Sequence, residues 1–241
     1  MDNRVTVIAV DGPSASGKST VSRILAQRLG FNYVDSGAMY RAVTWKALEA
    51  GIDPSDTMQV LALLGRMKIH FEIVNREARM FIDGVDPGHK VREPRVAEKV
   101  SIIAAIPEVR QVLVQQQRSL TKFGSLVMEG RDIGSVVFPD TPHKFYLDAD
   151  PTVRAQRRTQ DFQAMKIQAS TERVAEALQK RDQLDSSRSV SPLQIALGAV
   201  VINNSNTTAE QTVETILKFI QQQGGPEEAR NPKSEIRNKS E

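Results

Sequence analysis

The 241-residue sequence predicts an α/β fold with three layers, in which a parallel sheet carries helices on both faces. The first observation behind this prediction is the opening order of strand, helix, strand and helix, which runs from Val5 to about Ala50. The second is the near-continuous apolar run from Val5 to Val10, which is typical of a strand buried on both faces. Sheets of this kind bind ligands beyond the carboxyl ends of their strands, so polar residues there are candidate site residues.

The turn after the first strand has the pattern of a phosphate-binding loop. Residues 12–20 read Gly-Pro-Ser-Ala-Ser-Gly-Lys-Ser-Thr, which is Gly, four residues, Gly-Lys-Ser. Apolar residues then recur at helical spacing up to Leu29, and Gly30 stands where a helix C-terminal glycine belongs. Strand, glycine-rich turn and helix together predict a Rossmann-like P-loop domain, because the loop N–H groups and the helix N-terminus attract the same anion.

The predicted loop implies a nucleoside triphosphate ligand. Lys18 is expected to reach the β- and γ-phosphates, and the Ser19 hydroxyl is placed to serve Mg²⁺. Nine residues are predicted to contact the triphosphate: Gly12, Pro13, Ser14, Ala15, Ser16, Gly17, Lys18, Ser19 and Thr20. The loop alone leaves the reaction open.

The overall composition is that of an ordinary globular protein, with 40% hydrophobic and 25% charged residues. The absence of cysteine excludes disulfides and thiolate zinc sites and favours a reducing compartment, so we expect the cytoplasm. We expect no signal peptide, because residues 1–4 lead straight into the first strand, and no stretch is apolar enough to span a bilayer. The three histidines, His70, His89 and His143, lack metal-ligand spacing.

The formal net charge of +3 suits either nucleic acid or a pocket for polyphosphate. With 5% aromatic residues the chain offers no series of stacking platforms, and its arginines cluster near candidate phosphate positions instead of forming a basic tail. We therefore expect small-molecule substrates and no nucleic-acid partner. We also expect no membrane partner and a monomer.

After the P-loop helix, a second strand is predicted at Asn32 to Asp35. Asp35 or Ser36 is then the N-cap of a helix that runs to about Ala50, before Gly51. The pattern changes from about residue 57, where residues 57–105 are predicted to form a small β-containing insertion. Its elements are a helix at Thr57–Leu64, a strand at Lys68–Val74, a turn at Asn75–Ala78, a return strand at Met80–Ile82, a hairpin signal at Asp83-Gly84 and a helix at about Arg95–Ala104 after Pro94.

The core is predicted to comprise residues 1–56 and 106–223, with a helical lid at about 151–190 and a disordered tail at 224–241. A helix at about Glu108–Lys122 follows Pro107, and Thr207 with Glu210 forms the capping box of the last helix. The remaining predicted core elements are strands at Leu126–Met128, Lys144–Leu147 and Val200–Ile202 and helices at about Pro151–Gln160 and Thr171–Leu184.

Polar residues follow each predicted core strand: Lys18 after the first, Asp35, Ser36 and Arg41 after the second, and Arg131 with Asp132 after the third. The alternative for Arg131 and Asp132 is a loop ion pair of little consequence. Their position at a strand end favours a function.

Two sets of arginines lie on single helical faces. Arg154, Arg157 and Arg158 are spaced i, i+3 and i+4. Their positive charges could be neutralised either by Asp150 and Asp161 or by a bound triphosphate. Arg181, Asp185 and Arg188 also share a face, for which a surface salt-bridge ladder is an equal alternative. Several arginines facing a P-loop suit phosphoryl transfer, in which positioned cations stabilise the transferring group. No residue resembles a nucleophile activated by a base, which suits a kinase.

These segments, from Val5 to Ile220, resemble the bacterial cytidylate (CMP) kinases. The resemblance rests on residues 11–18, on Asp-Ser-Gly-Ala-Met-Tyr-Arg at 35–41, on Glu-Gly-Arg-Asp-Ile-Gly-Ser-Val-Val-Phe-Pro-Asp at 129–140, and on Lys-Arg-Asp at 180–182 with Asp185 and Arg188. The β-containing insertion resembles that family's region for binding the nucleoside monophosphate. The resemblance implies ATP as donor, with Mg²⁺, and CMP or dCMP as acceptor.

The resemblance also implies roles for matching positions. Ser14, Arg41 and Arg131 hold the acceptor's phosphate, with Ser36 and Tyr40 on the same side. Ser101, Arg110 and Asp132 read the cytosine, and Arg181, Asp185 and Arg188 contact ribose and phosphates. Arg154 to Arg158 belong to the lid over ATP, with Arg157 binding ATP. The expected catalytic set is Lys18, Arg131, Arg154, Arg158 and Arg181. Glu129 receives no firm role.

Two kinds of rival remain open from the sequence. The first is another P-loop kinase for a small acceptor, which is adenylate, uridylate or shikimate. The second is a non-catalytic nucleotide-sensing or RNA-binding module, which predicts a basic stripe or aromatic platforms that the sequence does not show.

Overall fold

The computed structural model describes residues 5–164 and 166–223, so the predicted tail at 224–241 lies outside the described residues. Seven strands form one sheet: β1 Val7–Asp11, β2 Asn32–Asp35, β3 Ile69–Val74, β4 Glu77–Ile82, β5 Leu126–Gly130, β6 His143–Asp148 and β7 Val200–Asn203. The α-helices are α1 Lys18–Leu29, α2 Ser36–Glu49, α3 Thr57–Leu64, α4 Pro94–Ala105, α5 Pro107–Ser119, α6 Pro151–Ala164, α7 Thr171–Ser186 and α8 Ala209–Gln222. Two 3₁₀ turns, Gly88–Arg92 and Leu120–Phe123, and a π-helical turn at Ile133–Val137 complete the fold.

The sheet order is β3-β4-β2-β5-β1-β6-β7, and the six strands other than β3 run parallel to one another. The predicted α/β fold is therefore confirmed. The P-loop strand β1 lies between β5 and β6, with Asp11 beside Gly130 and Tyr146. Because the strands are parallel, their carboxyl ends carry the P-loop and the segments after β2 and β5 at one edge of the sheet.

The β-hairpin of the predicted insertion extends this sheet. β3 and β4 pair antiparallel, and β4 joins the edge of β2 through the register pair Tyr33 and Glu77. Asn75 and Arg76, with φ of 51° and 61°, make the two-residue turn between the strands. Asp83 and Gly84 make a second tight turn, as their sequence predicts, with φ of 53° and 78°.

Helices cover both faces of the sheet. Ile8 and Val10 of β1 are fully buried in a cluster with α1 and α8, and Ala9 is buried in a second cluster on the other face. This two-sided burial explains why β1 reads as a continuous apolar run. Burial of each Val or Ile contributes about 1.5–3 kcal/mol to folding. None of the helices within the described ranges is long and apolar enough to cross a membrane.

The predicted N-cap of α2 is confirmed, whereas the predicted capping box of α8 is not. Asp35 caps α2, since its side chain accepts the Ala38 N–H at 2.8 Å. The predicted capping box of Thr207 and Glu210 is wrong by one residue, because Thr208 is the N-cap and Gln211 returns the bond. Thr207 instead contacts Thr212 through its hydroxyl. Gln is as good a partner as Glu in this motif, so the spacing alone could not distinguish the two registers.

Candidate active site

A cleft of about 650 Å³ opens beyond the carboxyl ends of β1, β2 and β5. The P-loop and the start of α1 form its floor, the insertion and α5 form one wall, and α6 and α7 form the other. Most of the predicted site residues line this cleft. They are Ser14, Ala15, Gly17, Lys18, Ser19, Thr20, Ser36, Tyr40, Arg41, Ser101, Arg110, Arg131, Asp132, Arg157, Arg158, Arg181, Asp185 and Arg188.

The P-loop backbone needs its glycines. Gly12 has φ of 148°, and a Cβ atom there would stand 2.1 Å from the carbonyl oxygen of Leu147. Gly17 has φ of 90° and lies directly before α1. Of the predicted loop contacts, Gly12, Pro13 and Ser16 lie behind the cleft surface, where they shape the loop.

Lys18 is buried at the centre of the loop, with 5% of its surface exposed. Its Nζ donates to the carbonyl of Pro13 at 2.6 Å and to the Ser16 hydroxyl at 3.4 Å. Burial, followed by the positive charge of Arg131, lowers the pKa of Lys18 to about 7. A phosphate anion beside Lys18 favours the charged form, so the loop is built for a ligand that supplies negative charge.

Glu129, near the end of β5, lines the cleft, although the sequence left it without a role. It is 5% exposed and accepts a hydrogen bond from the Tyr33 hydroxyl at 2.5 Å. Burial followed by the charge of Asp35 raises the pKa of Glu129, while the nearby Ser19 hydroxyl acts in the opposite direction. Ser19 therefore carries an oxygen ligand beside a carboxylate, which is a donor set that suits Mg²⁺. Within residues 5–164 and 166–223 no group of three or more His, Cys, Asp or Glu residues is placed to hold a metal ion.

The segment after β2 brings a cation to the far side of the cleft. Arg41 forms an ion pair with Asp35 at 2.7 Å, and both side chains are largely buried. Burial favours the neutral acid, but the charge of Arg41 and the Ala38 N–H hold the pKa of Asp35 below its usual value. Ser36 donates to the carbonyl of Glu129 at 2.6 Å, which joins the ends of β2 and β5.

A buried ion pair occupies the wall formed by α5. Arg110 contacts Asp132 through its guanidinium, and the two side chains are 3% and 6% exposed. Arg110 also donates to the carbonyl of Ala104 at 3.1 Å and lies 5.2 Å from the ring centroid of Tyr40. Burial raises the pKa of Tyr40 to about 12, so its hydroxyl is neutral. Ser101 lines the same wall, so the residues expected to read the base do come together.

Helix α7 contributes two of the predicted residues, Arg181 and Asp185, and Arg188 lies just beyond its C-terminal end. Arg131 donates to Asp185 at 3.0 Å, and Arg188 donates from Nε to the Asp185 carbonyl at 3.2 Å. Burial opposes ionisation of Asp185, but the charges of Arg131 and Arg181 lower its pKa. Burial and the charge of Arg131 lower the pKa of Arg181 to about 10, so Arg181 stays protonated at neutral pH. The set is therefore a buried cluster around the cleft and not a surface ladder.

The three arginines of α6 divide into different environments. Arg158 lines the cleft beside Asp161 at 3.7 Å and lies 5.0 Å from the ring of Phe162. Arg157 lines the cleft and donates to the side chain and the carbonyl of Asn204 at 3.1 and 2.9 Å. Arg154 lies behind the cleft surface, where it pairs with Asp182 and not with Asp150. Asp161 forms its ion pair with Arg158 and not with Arg157.

Sequence reasoning missed two further residues besides Glu129. Asn204, after β7, is 3% exposed and donates to the carbonyl of Ser16 at 2.8 Å, so it links the P-loop to Arg157. Arg92, at the end of the 3₁₀ turn in the insertion, is exposed on the cleft wall. The charge of Arg92 lowers the pKa of both Asp35 and Arg158. Arg92 had no periodicity signal, because it lies in a turn.

A P-loop with a buried lysine, facing arginines from three other parts of one cleft, defines a P-loop kinase that acts on a phosphorylated small molecule. The family model described as cytidylate kinase matches residues 8–222. A cytidylate kinase of Caldanaerobacter subterraneus subsp. tengcongensis is 41% identical over 91% of this chain and 96% of its own. A cytidylate kinase of Limosilactobacillus reuteri is 42% identical over 88% of this chain and 94% of its own. The chain belongs to the cytidylate kinase family.

A longer relative contains the same unit. The bifunctional pantoate ligase/cytidylate kinase of Synechococcus elongatus is 39% identical over 93% of this chain and 44% of its own length. Membership of the family confirms the resemblance seen in the sequence. It favours a nucleoside monophosphate acceptor over shikimate and catalysis over a non-catalytic module.

Proposed function

We propose that this chain transfers the γ-phosphoryl group of ATP to CMP or dCMP, giving ADP and CDP or dCDP. The observation that carries the proposal is the pairing of two sites in one cleft. Lys18 marks a triphosphate site, and the Arg110–Asp132 pair lies on another wall at a polar pocket for a base. Arg131 lies between them, bonded to Asp185.

On the donor side, the loop N–H groups and Lys18 bind the triphosphate, and Arg157 and Arg158 approach it from α6. Ser19 would hold Mg²⁺, with Glu129 beside it, and the bound ion would neutralise charge on the β- and γ-phosphates. Lys18 becomes fully charged as the phosphates enter. Closure of the arginine-lined wall excludes water, which otherwise competes with the acceptor for the γ-phosphoryl group.

On the acceptor side, Ser14, Arg41 and Arg131 hold the phosphate of CMP. Arg92 joins this group, because it lines the same cleft and its charge lowers the pKa of Asp35 and of Arg158. Ser36 and Tyr40 line the path between phosphate and base.

Asp132 accepts from the exocyclic amine of cytosine, while Arg110 and Ser101 complete the base site. A carboxylate acceptor discriminates against uracil, which presents a carbonyl oxygen at that position. Asp185, with Arg181 and Arg188 beside it, accepts from a sugar hydroxyl. A carboxylate that binds the 3′-hydroxyl serves CMP and dCMP alike.

The transfer itself needs alignment and charge stabilisation more than covalent help from the protein. The acceptor oxygen attacks the γ-phosphoryl group in line, and ADP leaves on the opposite side. Lys18, Arg131, Arg158 and Arg181 surround the group in transit, and each arginine keeps its charge at neutral pH.

A coupled assay of ADP release with a panel of acceptors tests this proposal. CMP and dCMP are expected to react fastest, with UMP slower and AMP and shikimate inactive. Equal rates with AMP or shikimate contradict the acceptor assignment. We also propose a cytoplasmic monomer, and gel filtration at two protein concentrations tests the oligomeric state.

A further inference from the structure

One side chain from α6 and one from α7 bind the backbone of Ser14, in the first half of the P-loop, and neither side chain lines the cleft. Arg154, on α6, donates to the carbonyl of Ser14 at 3.3 Å and to the carbonyl of Ala149 at 3.1 Å. The same guanidinium forms an ion pair with Asp182, on α7. The other carboxylate oxygen of Asp182 accepts the backbone N–H of Ser14 at 3.3 Å. Both backbone groups of Ser14 are therefore held.

This arrangement is well shielded from water. The side chains of Arg154 and Asp182 are 11% and 18% exposed. A charge-assisted pair in such surroundings is stronger than a surface pair, and a guanidinium can bind two acceptors at once in a fixed geometry. Neither side chain lines the cleft, so the pair is not a direct contact of either nucleotide.

The second half of the loop, at Ser16, is held by a similar pair of hydrogen bonds. Asn204 donates to the carbonyl of Ser16, and Arg157 donates to Asn204. Two arginines of α6, one turn apart, thus help to hold the loop. Arg154 acts together with the carboxylate of Asp182, and Arg157 acts through the amide of Asn204. The first half of α6 therefore supports the P-loop. Arg158, the next arginine of α6, pairs with Asp161 instead.

We propose that Asp182 is a positioning residue for phosphoryl transfer, acting by orienting Arg154 and by holding Ser14. The inference rests on the proposed function, in which Ser14 lies between the donor loop and the acceptor phosphate. A displacement of about 1 Å at such a point can cost on the order of 100-fold in rate. Loss of the Asp182 charge therefore acts on kcat more than on either KM.

Asp182→Asn is the sharpest test, because it keeps the shape and one oxygen acceptor but removes the charge that orients Arg154. We expect kcat to fall by about 10- to 100-fold, with the KM values for ATP and CMP changed by less than about threefold. Glu176→Gln is the matched control, since it makes the same chemical change at an exposed position of α7 outside the cleft. It is expected to retain the wild-type kcat.

Arg154→Lys is a second variant, which keeps the positive charge but loses the planar group that reaches Ser14 and Asp182 together. It is expected to lower kcat to a similar extent, and it decides the matter if Asp182→Asn does not fold. Asp182→Glu restores the charge and is expected to recover part of the lost rate.

Two results overturn the proposal. One is a folded Asp182→Asn or Arg154→Lys variant with kcat within about twofold of the Glu176→Gln control. The other is a loss of rate fully explained by the unfolded fraction, measured by circular dichroism on the same samples. Wild-type ADP release with CMP is measured first, because its absence contradicts the proposed function and not the role of Asp182.

Discussion

Asp11, at the end of β1, accepts the backbone N–H of Ile133 at 2.8 Å, which fixes the turn that follows β5. Its other oxygen accepts the N–H of Gly134, also at 2.8 Å. The π-helical turn held in this way begins directly after Asp132, and Asp132 accepts the N–H of Val136 through its own carbonyl. The P-loop strand thus positions the carboxylate proposed to read the base, although the two are 121 residues apart (from 11 to 132).

Asp132→Ala is expected to raise the KM for CMP by about 10- to 100-fold while changing that for ATP little. The reason is the loss of a charged hydrogen bond, which contributes about 1.5–3 kcal/mol. Steady-state kinetics with each substrate varied in turn checks this. Because the substitution also leaves Arg110 unpaired in a buried site, Asp132→Asn is measured beside it. An unchanged KM for CMP in both variants removes Asp132 from base recognition.

Arg92→Gln is expected to weaken CMP binding by roughly tenfold, the effect of losing one charged contact to phosphate. Binding of cytidine, which has no phosphate, should not change. Isothermal titration with the two ligands makes this comparison. Arg95→Gln is the matched control, because Arg95 is on the same insertion but pairs with Glu49 and Glu93 outside the cleft. Equal weakening of CMP and cytidine would show that Arg92 only supports the wall.

Nucleotide binding at pH 8 is expected to take up a proton at Lys18. In the free protein its pKa of about 7 leaves the amine largely neutral at that pH. The phosphates of ATP raise this pKa, since an adjacent anion favours the charged form, and a proton enters from solution. Calorimetric titrations in two buffers of different ionisation enthalpy measure the uptake, which should reach up to about one proton per site and decline below pH 7.

A matched variant is available for this measurement. Lys18→Arg carries a charge at every pH of interest, so its uptake should be absent. Equal uptake in the wild type and in Lys18→Arg would assign the proton to another group.

Gly12→Ala is expected to destabilise the fold by roughly 3 kcal/mol or more, through backbone strain and overpacking together. Its Cβ would stand 2.1 Å from the Leu147 carbonyl oxygen, at a φ of 148°. Gly51→Ala is the control, because Gly51 also has a positive φ, 70°, but no atom lies within 4 Å of the added Cβ. It is expected to cost about 1–2 kcal/mol. Urea unfolding of both variants gives the comparison, and equal losses would contradict the close approach at Gly12.

Local sequence determined the parts of the molecule whose signals lie within a few residues. The apolar run of β1, the glycine-rich turn and the helical spacing in α1 predicted the P-loop. A buried strand, a positive φ and helical periodicity each restrict which residue types occur at neighbouring positions. Pro94 and Pro107 marked the starts of α4 and α5 for the same reason. The capping box failed by one residue, since Thr207 and Thr208 carry equivalent hydroxyls and only the helix geometry selects between them.

Tertiary structure alone decided which charged groups meet between different helices and strands. Helical spacing left Asp150 and Asp161, or a triphosphate, as possible partners of Arg154 and Arg157. The structure instead pairs Arg154 with Asp182 on another helix, 28 residues away. Glu129 beside Ser19, Arg92 on the cleft wall and Asn204 under the P-loop gave no sequence signal for the same reason. Their partners are brought together by the parallel order of the sheet and by packing of α6 on α7. Sequence thus determined the donor loop and its family, and the fold determined the contacts that hold that loop in place.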